Sequence, residues 1–148
     1  MTMPDSGSVR KGKLTGCAAV LVVADVRKTA EWYREKIGFR AVEKFDSPEP
    51  FAALYRDAVE ILLVKSKFGR VERNRMRYGA GYDAYLTPEN PEGVDALHAE
   101  FCARGIKIIT PPRRTAYGSW EFVFEDIDGR WIGVGCIQDD AAFFGKSA

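Results

Sequence analysis

His98 and Cys102 stand four residues apart in a stretch with helical periodicity, so their side chains can touch. A histidine beside a thiol is one way to activate a nucleophile. Activated thiolates usually also need a third orienting group and an electropositive, exposed setting. The plainer reading is the edge of an amphipathic helix, beside Leu97 and Phe101. Glu121 lies in the apolar run Trp120–Phe124 and could serve as a general acid or base. It could equally be a solvated polar position on a strand. His98 is the single histidine, and no Ser/His/Asp set is recognisable. Cys17, Cys102 and Cys136 are odd in number and scattered, with no CxxC pair and no disulfide framework. That usage fits a reducing, cytoplasmic setting. The residues thus offer little catalytic chemistry and many aromatic rings.

The elements that would position them repeat. Cys17–Val23 reads as a buried strand, and Asp25 as the N-cap of a helix carrying Val26, Ala30, Tyr33 and Ile37 on one face. Gly38 ends that helix. Strands follow at Phe39–Phe45, Phe51–Tyr55 and Val59–Val64. The pattern then returns: strand Tyr82–Leu86, loop Pro88–Gly93, helix Val94–Ala103 ended by Gly105, and strand Ile106–Ile109. A loop at Pro111–Gly118 and strands Trp120–Phe124 and Trp131–Ile137 complete it. Each half reads βαβββ. The expected layout is a flexible polar lead at 1–14 and one domain over 15–148. Within it, module one spans about 15–65, a basic irregular linker about 66–79, module two about 80–138 and a tail 139–148. In the linker region Lys65–Arg77, six residues are basic and Glu72 alone is acidic. A solvated inter-module loop is its plain reading, an anion site the sharper one.

Three phrases carry a family resemblance. FEDIDGRWIGVG at Phe124–Gly135 is similar to a C-terminal F-x-D-P-D-G-N-x-I-E pattern, matching at Phe124, Asp126, Asp128, Gly129 and Ile132. Ile127 replaces the proline, Arg130 the asparagine, and Gly133 a liganding glutamate. VADVRKTAEWYREKIGF resembles a first-module phrase ending in LGF, here Ile37, Gly38 and Phe39. The segment from Gly93 to Gly129 resembles the second half of bleomycin-resistance-like proteins. Together these resemble the glyoxalase/bleomycin resistance/extradiol dioxygenase (vicinal oxygen chelate) superfamily over about residues 15–137. The resemblance implies an α+β fold: two βαβββ modules forming a curved mixed sheet, helices outside, a pocket on the concave face.

It also implies where a metal would lie. Metal-dependent members place His, Gln or Glu on the first and last strands of each module, and a divalent ion needs three or four such donors. The equivalent first-strand position here is Ala18, and the last-strand position is Gly133. Asp83 or Tyr82, and Glu60 or Leu62, are the remaining candidates. At most two carboxylates are left, so no metal, no cofactor and no catalytic residue is expected. The small residues instead suggest a deep, dry pocket. Its expected ligand-binding residues are Ala18, Tyr55, Tyr82, Tyr117, Trp120, Trp131, Gly133 and Gly135. Tyr117 and Trp120 flank a Gly-Ser loop that, in the resembled proteins, borders a drug groove at a dimer interface.

The expected function is therefore metal-free binding and sequestration of a small molecule, a drug or aromatic metabolite, by a cytoplasmic homodimer. The first alternative is a lyase, isomerase or oxygenase with a displaced metal site. The second is a regulatory or interaction domain using the basic linker. Formal net charge is +1 over 148 residues, so no global field recruits nucleic acid or a membrane. The longest apolar run, Ala18–Ala24, is too short to span a bilayer, and the N-terminus has no apolar segment of secretory type. Balanced charge, with basic Arg113 and Arg114 nearby, favours an uncharged or anionic aromatic ligand over a cation. Phe143 and Phe144 in the tail could dock on a partner subunit or cap their own sheet.

Overall fold

The computed structural model describes residues 9–145. The start of the expected polar lead, 1–8, and the end of the tail, 146–148, lie outside the described residues. Module one runs β1 (Ala19–Val23), α1 (Val26–Trp32), β2 (Arg40–Lys44), β3 (Phe51–Arg56) and β4 (Val59–Lys65). A short α2 (Asn74–Tyr78) follows. Module two runs β5 (Ala84–Leu86), α3 (Pro91–Ala103), β6 (Ile108–Arg114), β7 (Ser119–Glu125) and β8 (Trp131–Ile137), and α4 (Asp140–Phe144) closes the described chain. Each module is a four-stranded mixed sheet with the same order, β1-β4-β3-β2 and β5-β8-β7-β6. The first strand pairs parallel with the last in both. The fold is α+β with two βαβββ units. Strand-to-strand pairing stays within each unit, so the mixed sheet is two halves.

Local chemistry explains the elements. The Asp25 carboxylate accepts the Lys28 N–H at 3.1 Å and caps α1. After Trp32 the helix widens into one π turn, Tyr33–Ile37, and Gly38 ends it at φ 75°, a conformation that suits glycine. Asn90 caps α3 by accepting the Gly93 N–H at 2.9 Å, with Pro91 in the first turn, where no N–H is missed. Thus α3 starts three residues before the periodicity of Val94, Leu97 and Phe101 indicates.

Four expectations are corrected. Cys17 and Ala18 precede β1, and Tyr82 and Asp83 precede β5. The basic segment carries the α2 turn rather than being wholly irregular. Pro111 and Pro112, assigned to a loop, lie inside β6, which is an edge strand with register shifts between Ile108 and Arg113. An edge strand tolerates the missing donors.

One core serves both modules. Leu21, Ala30, Tyr33, Ile37, Leu54, Ile61 and Leu63 pack in the same buried cluster as Val94, Phe101, Phe122, Phe124, Ile132 and Val134. The turn at Asp126–Arg130 ties the units together. Tyr33 donates to Asp126 at 2.7 Å, and Thr29 donates to Asp128 at 2.6 Å. Arg130 reaches the Val22 carbonyl and pairs with Asp83 at 3.3 Å, both side chains buried. From the linker, Arg73 donates to the Asp128 carbonyl at 2.9 Å and Arg75 to the Gly129 carbonyl at 2.6 Å. The basic linker is thereby bound to the module-two turn instead of simply solvated.

Candidate functional site

Alternation along β7 separates two faces. Phe122 and Phe124 meet Phe101 of α3 at ring distances of 5.8 and 5.1 Å, which fixes them on the helix side. Glu121 and Val123 therefore face the other way. In register, Glu121 lies opposite Gly135 and Val123 opposite Gly133, and Gly133 lies opposite Tyr85 on β5. The face away from the helices is thus built from Tyr85, Gly133, Gly135, Glu121 and, from the preceding loop, Tyr117.

Glu121 is the centre of this face. It is 2% exposed, not the solvated strand position the sequence allows. Tyr85 donates to its Oε2 at 2.7 Å and Tyr117 to its Oε1 at 2.7 Å. Tyr82 stacks on Tyr85 with ring centres 6.2 Å apart. Burial, and then the bond to Glu121, pushes the Tyr85 hydroxyl well up. Tyr117 and Tyr82 are raised too, again mainly by burial. All three hydroxyls thus stay protonated at neutral pH.

The glycines explain how the rings fit. A Cβ on Gly133 would lie 2.7 Å from Tyr85 Cδ2 and 3.1 Å from Tyr82 Cδ2. A Cβ on Gly135 would strike the Tyr85 hydroxyl and come within 2.5 Å of Glu121 Cβ. The space above β8, expected to be an empty deep pocket, is filled by the protein's own tyrosines. A bare strand lets the rings from beside it lie flat across it. The open volume is displaced sideways, into a cleft of about 560 Å³ lined by Tyr85, Tyr117, Gly135, Cys136, Glu89 and Phe143, among others. Phe143 of α4 meets Tyr117 edge to face at 6.3 Å, so the tail walls its own cleft.

The expected site residues therefore divide. Tyr82, Tyr117, Gly133 and Gly135 come together. Trp131 shares their face, but Arg75 lies over its ring at 4.2 Å and Glu125 accepts its Nε1–H at 3.3 Å. Trp120 is on the opposite, helix face, where it donates to Asp95 of α3 at 2.9 Å. Ala18 and Tyr55 line a separate cleft of about 320 Å³ in module one with Glu60. Tyr85 and Glu121 are central here yet absent from the expected ligand-binding residues; from the sequence Glu121 reads as a general acid or base or a solvated strand position. The signal for Glu121 is its alternation with Phe122, and for Tyr85 its alternation with Leu86.

Other chemistry is accounted for. The Cys102 thiol and His98 Nε2 are 3.5 Å apart at the surface, and the His98 ring packs edge-on against Phe122 at 5.3 Å. Among the described residues no carboxylate bonds His98. Cys136 lines the cleft, but burial raises its thiol, which keeps it protonated. The larger groove, about 690 Å³ at the module boundary, is mostly apolar. Its charged pair, Arg56 and Glu100, is bidentate at 2.8 and 3.0 Å and so satisfied within itself.

A divalent ion does not fit the residues present. Among the described residues no three His, Cys, Asp or Glu side chains converge. Ala18 and Gly133 offer no donor, and Asp83 is taken by Arg130 and by the Asn74 N–H at 2.9 Å. No described helix is long and apolar enough to cross a membrane.

No curated protein sequence matches the chain. Among solved structures, it is similar to a glyoxalase/bleomycin resistance protein/dioxygenase domain from Frankia sp. EAN1pec, at TM-score 0.65 and 20% identity, over 86% of this chain and 95% of that one. It is similar to a family member from Nocardioides, at TM-score 0.63 and 18% identity, over 90% and 89%. It is also similar to TnmS3, an antibiotic binding protein from Streptomyces sp. CB03234, at TM-score 0.62 and 21% identity, over 84% and 97%. At these identities the likeness concerns the fold. The model of the Glyoxalase/Bleomycin resistance protein/Dioxygenase superfamily matches residues 17–134, and the chain belongs to that superfamily.

Proposed function

We propose that the protein binds and holds a small aromatic molecule in the module-two cleft, without covalent chemistry. The observation that carries this reading is the Tyr85–Glu121–Tyr117 network beside the cleft of about 560 Å³. It offers ring faces and fixed hydroxyls at a concave surface, the usual composition of a small-molecule site. The donor set fits no divalent ion, so the metal-assisted chemistry of other superfamily members has no obvious seat here. The description of TnmS3 as antibiotic-binding supports the same direction.

A second copy of the chain is part of the proposal. On the module-one face away from α1, Val20, Leu62, Ala53 and Val42 run in one aliphatic row across the sheet, with Val20 56% and Val22 42% exposed on β1 and Val42 exposed at the opposite edge on β2. Such a patch favours a partner, and a homodimer would cover it. Screening antibiotics and aromatic metabolites by thermal shift tests the binding reading, because a ligand of the native state alone raises Tm. Stoichiometric zinc, iron, nickel or manganese in purified protein would favour the lyase or oxygenase alternative and sink the proposal.

A further inference from the structure

The cleft also has a definite polarity, and this step rests on the binding site proposed above. Glu121 is nearly fully buried, yet among the described residues no cation pairs with it. Arg113 is opposite it in register on β6 and its charge reaches the Tyr82 hydroxyl, but its side chain is exposed, forms no ion pair with Glu121 and does not line the cleft. The neighbouring Arg114 is bound to Asp139 at 2.8 Å. With both of its oxygens accepting from hydroxyls and no counter-ion beside it, the carboxylate leaves negative potential around it.

The tyrosines pass that polarity to the cleft. Each hydroxyl has one proton, and the Tyr85 and Tyr117 protons point to Glu121. Their oxygens are left as acceptors, made more electron-rich by the charge-assisted bonds. The cleft lining adds Glu89 and contains no lysine or arginine. Its π faces, at Tyr85, Tyr117 and Phe143, attract cations as well.

We infer that the cleft selects an aromatic molecule with a donor-rich, positively charged head, such as a protonated arylalkylamine, and rejects the matching carboxylate. This reverses the preference that the whole-chain charge implies. The balanced net charge averages over the basic linker, where Arg73 and Arg75 are engaged at the Asp126–Arg130 turn and Arg70 and Arg77 pair with Glu72.

Three indoles of similar shape test it: tryptamine (cationic), tryptophol (neutral) and indole-3-acetate (anionic), titrated by calorimetry at low and moderate salt. Tryptamine should bind about three- to tenfold tighter than tryptophol, and indole-3-acetate weakest. Glu121→Gln, with folding checked by circular dichroism, should erase the advantage of tryptamine over tryptophol. Tyr85→Phe, which removes one acceptor and keeps the carboxylate, should shrink it. Equal binding of all three, or tightest binding of the anion, overturns the inference and leaves the site standing. Binding of none at millimolar concentration overturns the site and the inference together.

Discussion

The two modules share element order and strand pairing but carry opposite surfaces at equivalent places. Where module one sets Val20 against Leu62, module two sets Tyr85 against Gly133. Module one puts bulk on its inner strand and leaves an open aliphatic face. Module two strips its inner strand to glycine and roofs it with tyrosine over a buried carboxylate. A duplicated scaffold can therefore hold one backbone and still separate two tasks. In the proposed function, one half offers a surface for association and the other offers recognition.

The junction is the strongest point at which to break this picture. Arg130→Met leaves Asp83 buried without its cation, and losing one partner of a buried pair costs roughly 3–5 kcal/mol. Because the core is shared, urea unfolding should stay a single transition, with a lower midpoint. Two separate transitions would mean that the modules are independent units.

A smaller effect separates the two faces. Gly133→Leu gives module two the residue that module one has at Leu62. It collides with Tyr85, should destabilise by roughly 1–3 kcal/mol as overpacking does, and should displace the rings. Leu62→Ala, at a half-buried site, should cost about 1 kcal/mol and leave the module-two cleft intact. Equal effects on ligand binding would erase the distinction between the faces.

The junction also titrates. Burial, offset in part by the bonds from Tyr33 and the backbone, raises Asp126 to about 6. A folded-state value above the unfolded one means that the group stabilises fully below about pH 4, near the free carboxylate value, and that the contribution is lost as pH rises through 6. Between pH 5 and 7.5 the loss is on the order of 1 kcal/mol. Glu100 is lowered by its bond to Arg56, and Asp139 by its capping bond to the Ala142 N–H, so these change at more acidic pH and do not mask it. Urea midpoints at the two pH values should differ in wild type and converge in Asp126→Asn.

The smallest effect on the fold should come from Val20→Lys, within about 0.5 kcal/mol at so exposed a site. Sedimentation should nevertheless show dimer shifted to monomer. An unchanged mass would place association elsewhere.

Much of this architecture was legible in the residues. Asp25, Gly38 and the period of Val26, Ala30, Tyr33 and Ile37 identify α1 because capping and helical spacing are local. The Asp126–Gly129 turn and Trp131–Ile137 are local for the same reason. The site was harder to read. Alternation puts Gly133 and Gly135 on one face, but it does not say that Tyr85 from the neighbouring strand occupies the room they leave. Glu121 looks solvated by type, and only the cross-strand register shows it roofed by two hydroxyls. Trp120 lay on the wrong face because Gly118 and Ser119 suggest an accessible loop, whereas β7 already begins at Ser119. Pro111 and Pro112 hid an edge strand, since proline reads as a break until the strand's free side is known.

Calorimetric titration of tryptamine into wild type, Leu62→Ala and Gly133→Leu addresses the module-two cleft most directly. Wild type and Leu62→Ala should bind alike, while folded Gly133→Leu should lose at least about tenfold in affinity. Undiminished binding by folded Gly133→Leu would contradict the assignment of recognition to the tyrosine-roofed face.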